Sequence, residues 1–559
     1  MKISPSSTLL AARRLQRLYS TDATQRKLSL LHTLDRTSLR TAREVARLHD
    51  LLCFMRAYPD NKAVLSLVEK ILENFSDRKD LRRNRESLSG SGIAGTDIHY
   101  RFHWQTAKWL YDHWPVAITI DWPEFGNEPG LDELWPLILP SPAMETLEHV
   151  SLSSREWIAA LKQPSETDAA FVVRLFARWA VGDTVREKTY DDLDVPLTLT
   201  PVRDSPSRTR AQYKPKNIAY GPPETYNPSS PHRPRFGHKP LKVSSVRVDY
   251  GRRLIDLARI QMVTRSRDLY AFMHANPYDV RIVTFEAGLQ FVCYGLQVHA
   301  RALLETLYVF LILRNGLPVG YTQATALFRS AEINFNIFDT FRGAETSLTF
   351  HTTLTMVHHL LGCDTFIINT QQLGEDNAEA LKTGAFWFYY KHGFRSRDRD
   401  VRAVIRSELA RKKREPHHRS DLRTLRRLAG DDLYLFAGNP RSDLVNNIPS
   451  ANIGLAAARI LESYACPSDP TGARNCISAA SRLLGCRIDS RLPAPLRETW
   501  ARWSPVVLSL AGVSRWSRSS KRALVDVINA KGSRRESEFV ARFDQHRTLR
   551  KALIKLGNP

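Results

Sequence analysis

No stretch of this chain approaches the roughly 20 consecutive apolar residues that a membrane-spanning helix needs, so no membrane span is expected. Cysteine is scarce, with six in 559 residues at 53, 293, 363, 466, 476 and 486. That fits a reduced, cytoplasmic setting better than a disulfide-stapled secreted fold. Cys466, Cys476 and Cys486 recur every ten residues, yet no CxxC pair or paired histidine stands beside them. They read as buried small residues, and no metal site is expected. Also missing are a Walker loop, a GxGxxG that follows a strand, a GxSxG elbow and an HExxH pair. Their absence removes the commonest signatures of nucleotide hydrolysis, dinucleotide binding, serine hydrolysis and zinc proteolysis. Acidic residues are absent before Asp22, while Arg13, Arg14 and Arg17 lie on a short amphipathic stretch. This is either a frayed basic helix or the composition of an organelle transit peptide.

What is present is ordinary globular material, 43% hydrophobic and 25% charged, enough for about three or four folded units. The formal charge of +23 makes the surface attractive to polyanions such as nucleic acid, an anionic membrane surface or a phosphorylated cofactor. Residues 1–195 read as mostly helical, since Val64, Leu67, Val68, Ile71, Leu72 and Phe75 recur at helical spacing. Near its middle, Trp104, Trp109, Trp114 and Trp122 crowd together with His99, His103 and His113, which points to a partly buried aromatic cluster. His99 and His103 have i, i+4 spacing, but no acid in register completes a metal set.

Residues 196–245 change texture. Nine prolines between Pro201 and Pro240 block regular structure, so a linker or wrapping arm is expected. Residues 246–400 open with a helical pattern and then turn strand-rich. "DVRIVTFE" and "LQFVCYGL" pair around Ala287 and Gly288, and "TLYVFLIL" and "LPVGYTQATALF" flank Asn315-Gly316, a hairpin signal because both turn residues tolerate positive φ. In "EINFNIF" Ile333, Phe335 and Ile337 alternate with Glu332, Asn334 and Asn336, so one face is apolar and the other polar. A helix over 342–361, a strand over 364–369 and an aromatic helix, "GAFWFYYKHGF", follow. Residues 401–559 are helical and basic at their start, with Trp500, Trp503 and Trp516 in the core. Between 395 and 427 stand thirteen Lys or Arg against five Asp or Glu. That run is either a solvated helix face or a contact for a polyanion. Cys363 beside His358 and His359 has no orienting partner in sequence, which argues against a thiol nucleophile.

Four features over residues 250–395 together resemble the GNAT superfamily of N-acyltransferases: the hairpin "RNGLPVGY", "FRG" at 341–343 after the next strand, Gly362 one helix later, and Ala385, Tyr389, Gly393 and Phe394 in the register A-x-x-x-Y-x-x-x-G-F. The longer chain is similar to uncharacterised bacterial proteins, a likeness that transfers no activity. The resemblance implies an α/β (α+β) fold, with a GNAT-like mixed sheet and packed helices flanked by mostly helical N- and C-terminal regions. It implies splayed fourth and fifth strands whose unpaired backbone groups hold the pantetheine arm of acetyl-CoA, and a pyrophosphate on the N-terminus of the following helix. Ile337, Phe338, Arg342, Gly343 and Ala344 take the cofactor positions. Tyr389 takes that of the general acid, Glu332 that of the base, and Asn334 and Asn336 line the side of an unknown amine acceptor. The phosphate loop departs from the R/Q-x-x-G-x-G/A pattern, with Glu345 and Ser347 in place of small residues. A glutamate there sets bulk and negative charge beside a dianion, or satisfies the helix dipole in its place. Two readings follow: an acyl-CoA-dependent N-acyltransferase, or a GNAT-like domain without cofactor that acts as a binding or structural module.

Overall fold

A computed structural model describes residues 4–143, 149–150, 152–179, 183–215, 217–222, 242–343, 345–488 and 491–558. The fold is mixed α/β, with a large mixed sheet and many helices. Among the described residues no helix is long and apolar enough to cross a membrane.

Among the described residues twelve strands form two sheets. β1 (Ile98–Tyr100), β2 (Ile118–Ile120) and β3 (Leu197–Leu199) make a small antiparallel sheet with β3 in the centre. The other nine are β4 (Lys242–Ser245), β5 (Ala275–Thr284), β6 (Leu289–Leu296), β7 (Thr306–Arg314), β8 (Leu317–Leu327), β9 (Ser330–Ile337), β10 (Thr365–Ile368), β11 (Arg395–Ser396) and β12 (Leu433–Phe436). They build one sheet in the order β11-β12-β10-β9-β8-β7-β6-β5-β4. From β4 to β9 each strand pairs antiparallel with the next. β10 alone runs parallel to its neighbour β9, and the helix Thr346–Leu361 supplies the crossover that a parallel pair demands. The expected strand over 364–369 and the expected alternation of "EINFNIF" are both present, with Ile333 and Ile337 buried.

Helices cover both faces, because successive residues of a strand point to opposite sides. Tyr294 on β6 donates from its hydroxyl to Leu254 O of the helix Val248–Val263 at 2.7 Å. Its neighbour Cys293 lies on the other side, with Arg281, Asp279 and Tyr308, against the helix Glu536–Gln545. One apolar core runs from the N-terminal helices through this sheet to the C-terminal helices, and includes Trp500 and Trp503, with Trp516 packed at its margin. Residues 98–199 enclose a second core around Trp104, Trp109, Trp135 and Trp157, with Trp114 and Trp122 half-buried beside it. The aromatic cluster read from the sequence is this core. His99 sits on β1 and His103 precedes the next helix, so the two never share a helical face.

The Asn315-Gly316 turn gathers three parts of the chain. Both residues have positive φ, as a tight hairpin turn of this hand requires. Asn315 Nδ2 donates to Ala57 O at the end of the helix Ala42–Ala57 and to Ala219 O of the proline-rich arm, both at 2.9 Å, while Oδ1 accepts from Ala219 N at 2.8 Å. Tyr213 N donates to Gly316 O at 2.8 Å. The described part of the arm therefore wraps the hairpin; residues 223–241 lie outside the described residues. A Cβ on Gly316 would meet Tyr213 O at 1.9 Å, so Gly316→Ala must displace the arm as well as strain the turn. We expect a loss of about 1–3 kcal/mol in chemical denaturation and faster proteolysis within 201–222, against no change if the arm is loosely held.

Candidate functional site

The parallel ladder between β9 and β10 is short. It holds only for Ser330↔Thr365, Ala331↔Phe366 and Glu332↔Ile367, after which β9 continues to Ile337 paired on one side alone. Where the strands part, a cleft of about 850 Å³ opens, walled by Gln323 and Tyr321 of β8, Asn334 to Ile337 of β9, the start of the helix Thr346–Leu361, and the helices Ala378–Thr383 and Ala385–Lys391. Asn334 and Asn336 line it as expected, and so does Tyr389.

The edge of β9 left bare by the splay is met by two side chains. Phe335 N donates to Gln372 Oε1 at 3.2 Å, and Ile337 O accepts from Arg342 Nε at 3.0 Å. Buried backbone groups need partners, and here side chains from the short helix Thr370–Leu373 and from the turn at Arg342 supply them. Gln372 is fixed in turn: its backbone N–H donates to Asn369 Oδ1 at 3.0 Å, and Asn369 Nδ2 donates to Glu332 Oε1 at 2.7 Å. Tyr389 completes the set, its hydroxyl donating to Gln372 Oε1 at 3.4 Å. Glu332 thus stands at the apex of the splay, behind the lining of the cleft, and holds Asn369. Burial raises the pKa of its carboxyl, with Asp432 and Glu305 adding to the effect. Burial also pushes the Tyr389 phenol well above its ordinary value, so it keeps its proton across the physiological range.

The aromatic helix divides its rings by face. Phe386 and Tyr389 are buried, and Phe350 contacts Phe388, Tyr389 and Phe394 at centroid distances of 5.4, 5.4 and 5.8 Å. Trp387 and Tyr390 turn outward under cations of the basic run: Lys412 Nζ lies 3.4 Å from the Trp387 centroid, and the Arg395 guanidinium carbon lies 4.0 Å from that of Tyr390. Part of the basic run is thereby spent inside the fold. Arg402, Arg406, Lys413, Arg414, Arg423 and Arg427 remain exposed.

The residues that the resemblance sets at the cofactor lie as follows. Ile337 and Phe338 are buried, and Phe338 lies under the Arg265 guanidinium at 3.6 Å. Arg342 pairs with Asp339 at 2.9 Å and with Glu379 across the mouth of the cleft. Gly343 has φ +82, its N–H donates to Thr346 Oγ1 at 3.1 Å, and Arg17 of the N-terminal segment rests against it while donating to Arg342 O at 2.7 Å. Ala344 lies outside the described residues. Glu345 is the N-cap residue of the helix Thr346–Leu361, but its side chain makes no capping bond there. Glu345 is only 5% exposed, and its carboxylate pairs with Arg314 at 3.2 Å. The Glu345 charge is thus matched by a cation from the end of β7.

The thiol alternative finds no support here. His358 Nδ1 bonds Cys363 O, a backbone atom, at 2.7 Å, and burial raises the Cys363 pKa far above that of a reactive thiol. Gln372 was not singled out by sequence reasoning. The only local signal is Asn369, which caps the short helix Thr370–Leu373; that Gln372 reaches the bare edge of a strand from 37 residues earlier is a tertiary fact.

Glu345→Gly leaves the buried Arg314 guanidinium unpaired, so we expect it to lower stability by about 3–5 kcal/mol in chemical denaturation. Arg314→Met with Glu345→Gln together should recover most of that loss, and equal stability of the single variant and the native chain would dismiss the pair. Comparison of the chain with protein-family models, with curated proteins and with solved structures finds no match.

Proposed function

We propose that the splayed cleft is an acyl-transfer site of the GNAT type, which moves an acyl group from acyl-CoA to an amine. The observation that carries this reading is the parting of β9 from β10 onto a cleft of about 850 Å³ lined by Tyr389. The residues present suit the cofactor in outline. The bare edge of β9 offers Phe335 N–H and Ile337 C=O to an amide-bearing arm once Gln372 and Arg342 give way. Arg17 rests against Gly343 and Arg342 lines the cleft, both just ahead of the helix Thr346–Leu361, whose N-cap residue Glu345 makes no side-chain capping bond, an arrangement that suits a pyrophosphate. Acyl-CoA supplies a thioester, whose thiolate must leave. Tyr389 lines the cleft and is held in its protonated form by burial; it supplies the proton for that departure, and the phenolate so formed takes the proton that the amine loses on acylation. Asn334, Asn336 and Gln323 orient an incoming amine from the polar face of the sheet. Glu332 acts through Asn369 as a positioning residue for Gln372 rather than by touching the amine.

The second reading, a module without cofactor, rests on the ties that already fill the site: Gln372 on the strand edge and Arg342 bound to Asp339 and Glu379. In that case the exposed cations between 395 and 427 contact a polyanion.

Acetyl-CoA at about 100 times its dissociation constant should stabilise the chain by about 2.7 kcal/mol, read as a thermal shift. No shift at millimolar acetyl-CoA would favour the second reading. With an amine acceptor in hand, Tyr389→Phe should lower turnover while leaving the acetyl-CoA shift intact. Because the phenol stays protonated, native turnover should show no alkaline fall from Tyr389 below pH of about 10. For the second reading, affinity for a nucleic acid or heparin should fall linearly with log salt, and a flat dependence would remove the electrostatic partner.

A further inference from the structure

Three residues distant in sequence meet where the small aromatic core touches the large sheet. Glu187 comes from the helix Asp183–Leu193, His274 from the turn before β5, and His299 from the short turn Val298–Ala300 after β6. One ligating atom from each lies within 4.8 Å of the other two. We propose that Glu187, His274 and His299 bind a divalent transition metal of the zinc class, which ties the helix Asp183–Leu193 to the sheet.

The strand register holds the two histidines together. Ala275 pairs with Leu296, and Gln297 N donates to His274 O at 2.9 Å, which brings the imidazole centroids to 5.6 Å. Tyr270 braces both turns, its ring 4.2 Å from that of His274 and its hydroxyl donating to Ala300 O at 3.3 Å. Glu187 is oriented from behind, since Gln105 Nε2 donates to Oε1 while Oε2 faces His274. Outer partners of this kind are what fix ligands in metal sites.

The distances suit an ion better than a direct bond. His274 Nε2 and Glu187 Oε2 are 3.7 Å apart, too long for a hydrogen bond. Two ligands each about 2.0–2.1 Å from a tetrahedral ion stand roughly 3.4 Å from one another. His274 is buried, whereas His299 is exposed, so His299 has room to close in and the outer coordination position opens to solvent. Two imidazoles and one carboxylate form a donor set that zinc and neighbouring metals accept and calcium or magnesium does not favour. Arg259, the nearby cation, is itself balanced by Asp256, Asp268 and Asp112.

The test uses the full chain, stripped with chelator and titrated with Zn²⁺ by calorimetry, with thermal unfolding followed in parallel. We expect one Zn²⁺ per chain and a higher unfolding temperature. Affinity should drop at least about tenfold in His299→Ala, which is exposed and folds, and in Glu187→Gln, while His417→Ala, an exposed histidine elsewhere, binds as the native chain does. Native chain that takes up no zinc, or His299→Ala that binds as tightly as native, would overturn the site. Co²⁺ provides a second readout: visible absorption bands of a four-coordinate ion in the native chain, lost in His299→Ala, support the site, and identical bands in both place the metal elsewhere.

Discussion

The large sheet is governed by one change of direction. Six strands from β4 to β9 lie antiparallel in chain order; from β5 onward each is reached by a turn or short loop, while the helix Val248–Val263 lies between β4 and β5. β10 enters parallel to β9, which requires a crossover helix, and the two strands agree for only three residue pairs. Past that point β9 has a bare edge inside the protein. Unpaired backbone groups cannot be left there, so loops and helices from 342 to 391 converge to supply partners, and the space between them is the cleft. The site is thus a consequence of an interrupted ladder.

The same constraint explains why the polar groups of the cleft are joined in series. Glu332 holds Asn369, Asn369 caps the turn that carries Gln372, and Gln372 receives both Phe335 N–H and the Tyr389 hydroxyl. A change at Glu332 therefore reaches Tyr389 through three hydrogen bonds and no direct contact. Buried networks of this type are stiff when complete and costly when broken. The rest of the aromatic helix is anchored from two sides, by Phe350 within and by Lys412 and Arg395 without.

Legibility in the sequence followed the range of the interaction. Asn315-Gly316 is read directly, because positive φ at two successive residues restricts the side chains that can stand there. The alternation of Ile333, Phe335 and Ile337 is read equally well, because period 2 is a property of a strand wherever it packs. Glu345 shows the opposite case. Its place beside a phosphate-loop pattern suggested opposition to an anion, yet the carboxylate turns to Arg314, thirty-one positions earlier.

By itself, then, the sequence settled the order of strands and helices from β5 to the aromatic helix, the hairpin turns, the aromatic core around Trp104 and Trp109, and the mixed α/β class, all of which rest on contacts within a few residues or on periodicity; the short strands β1 to β4, β11 and β12 carry no such pattern. The tertiary structure alone decided which side chains occupy the bare edge of β9, where the Glu345 charge is answered, and that Glu187 meets His274 and His299. Those depend on the register of strands and the packing of one core on another, which bring together residues separated by tens to over a hundred positions and leave no local pattern to read.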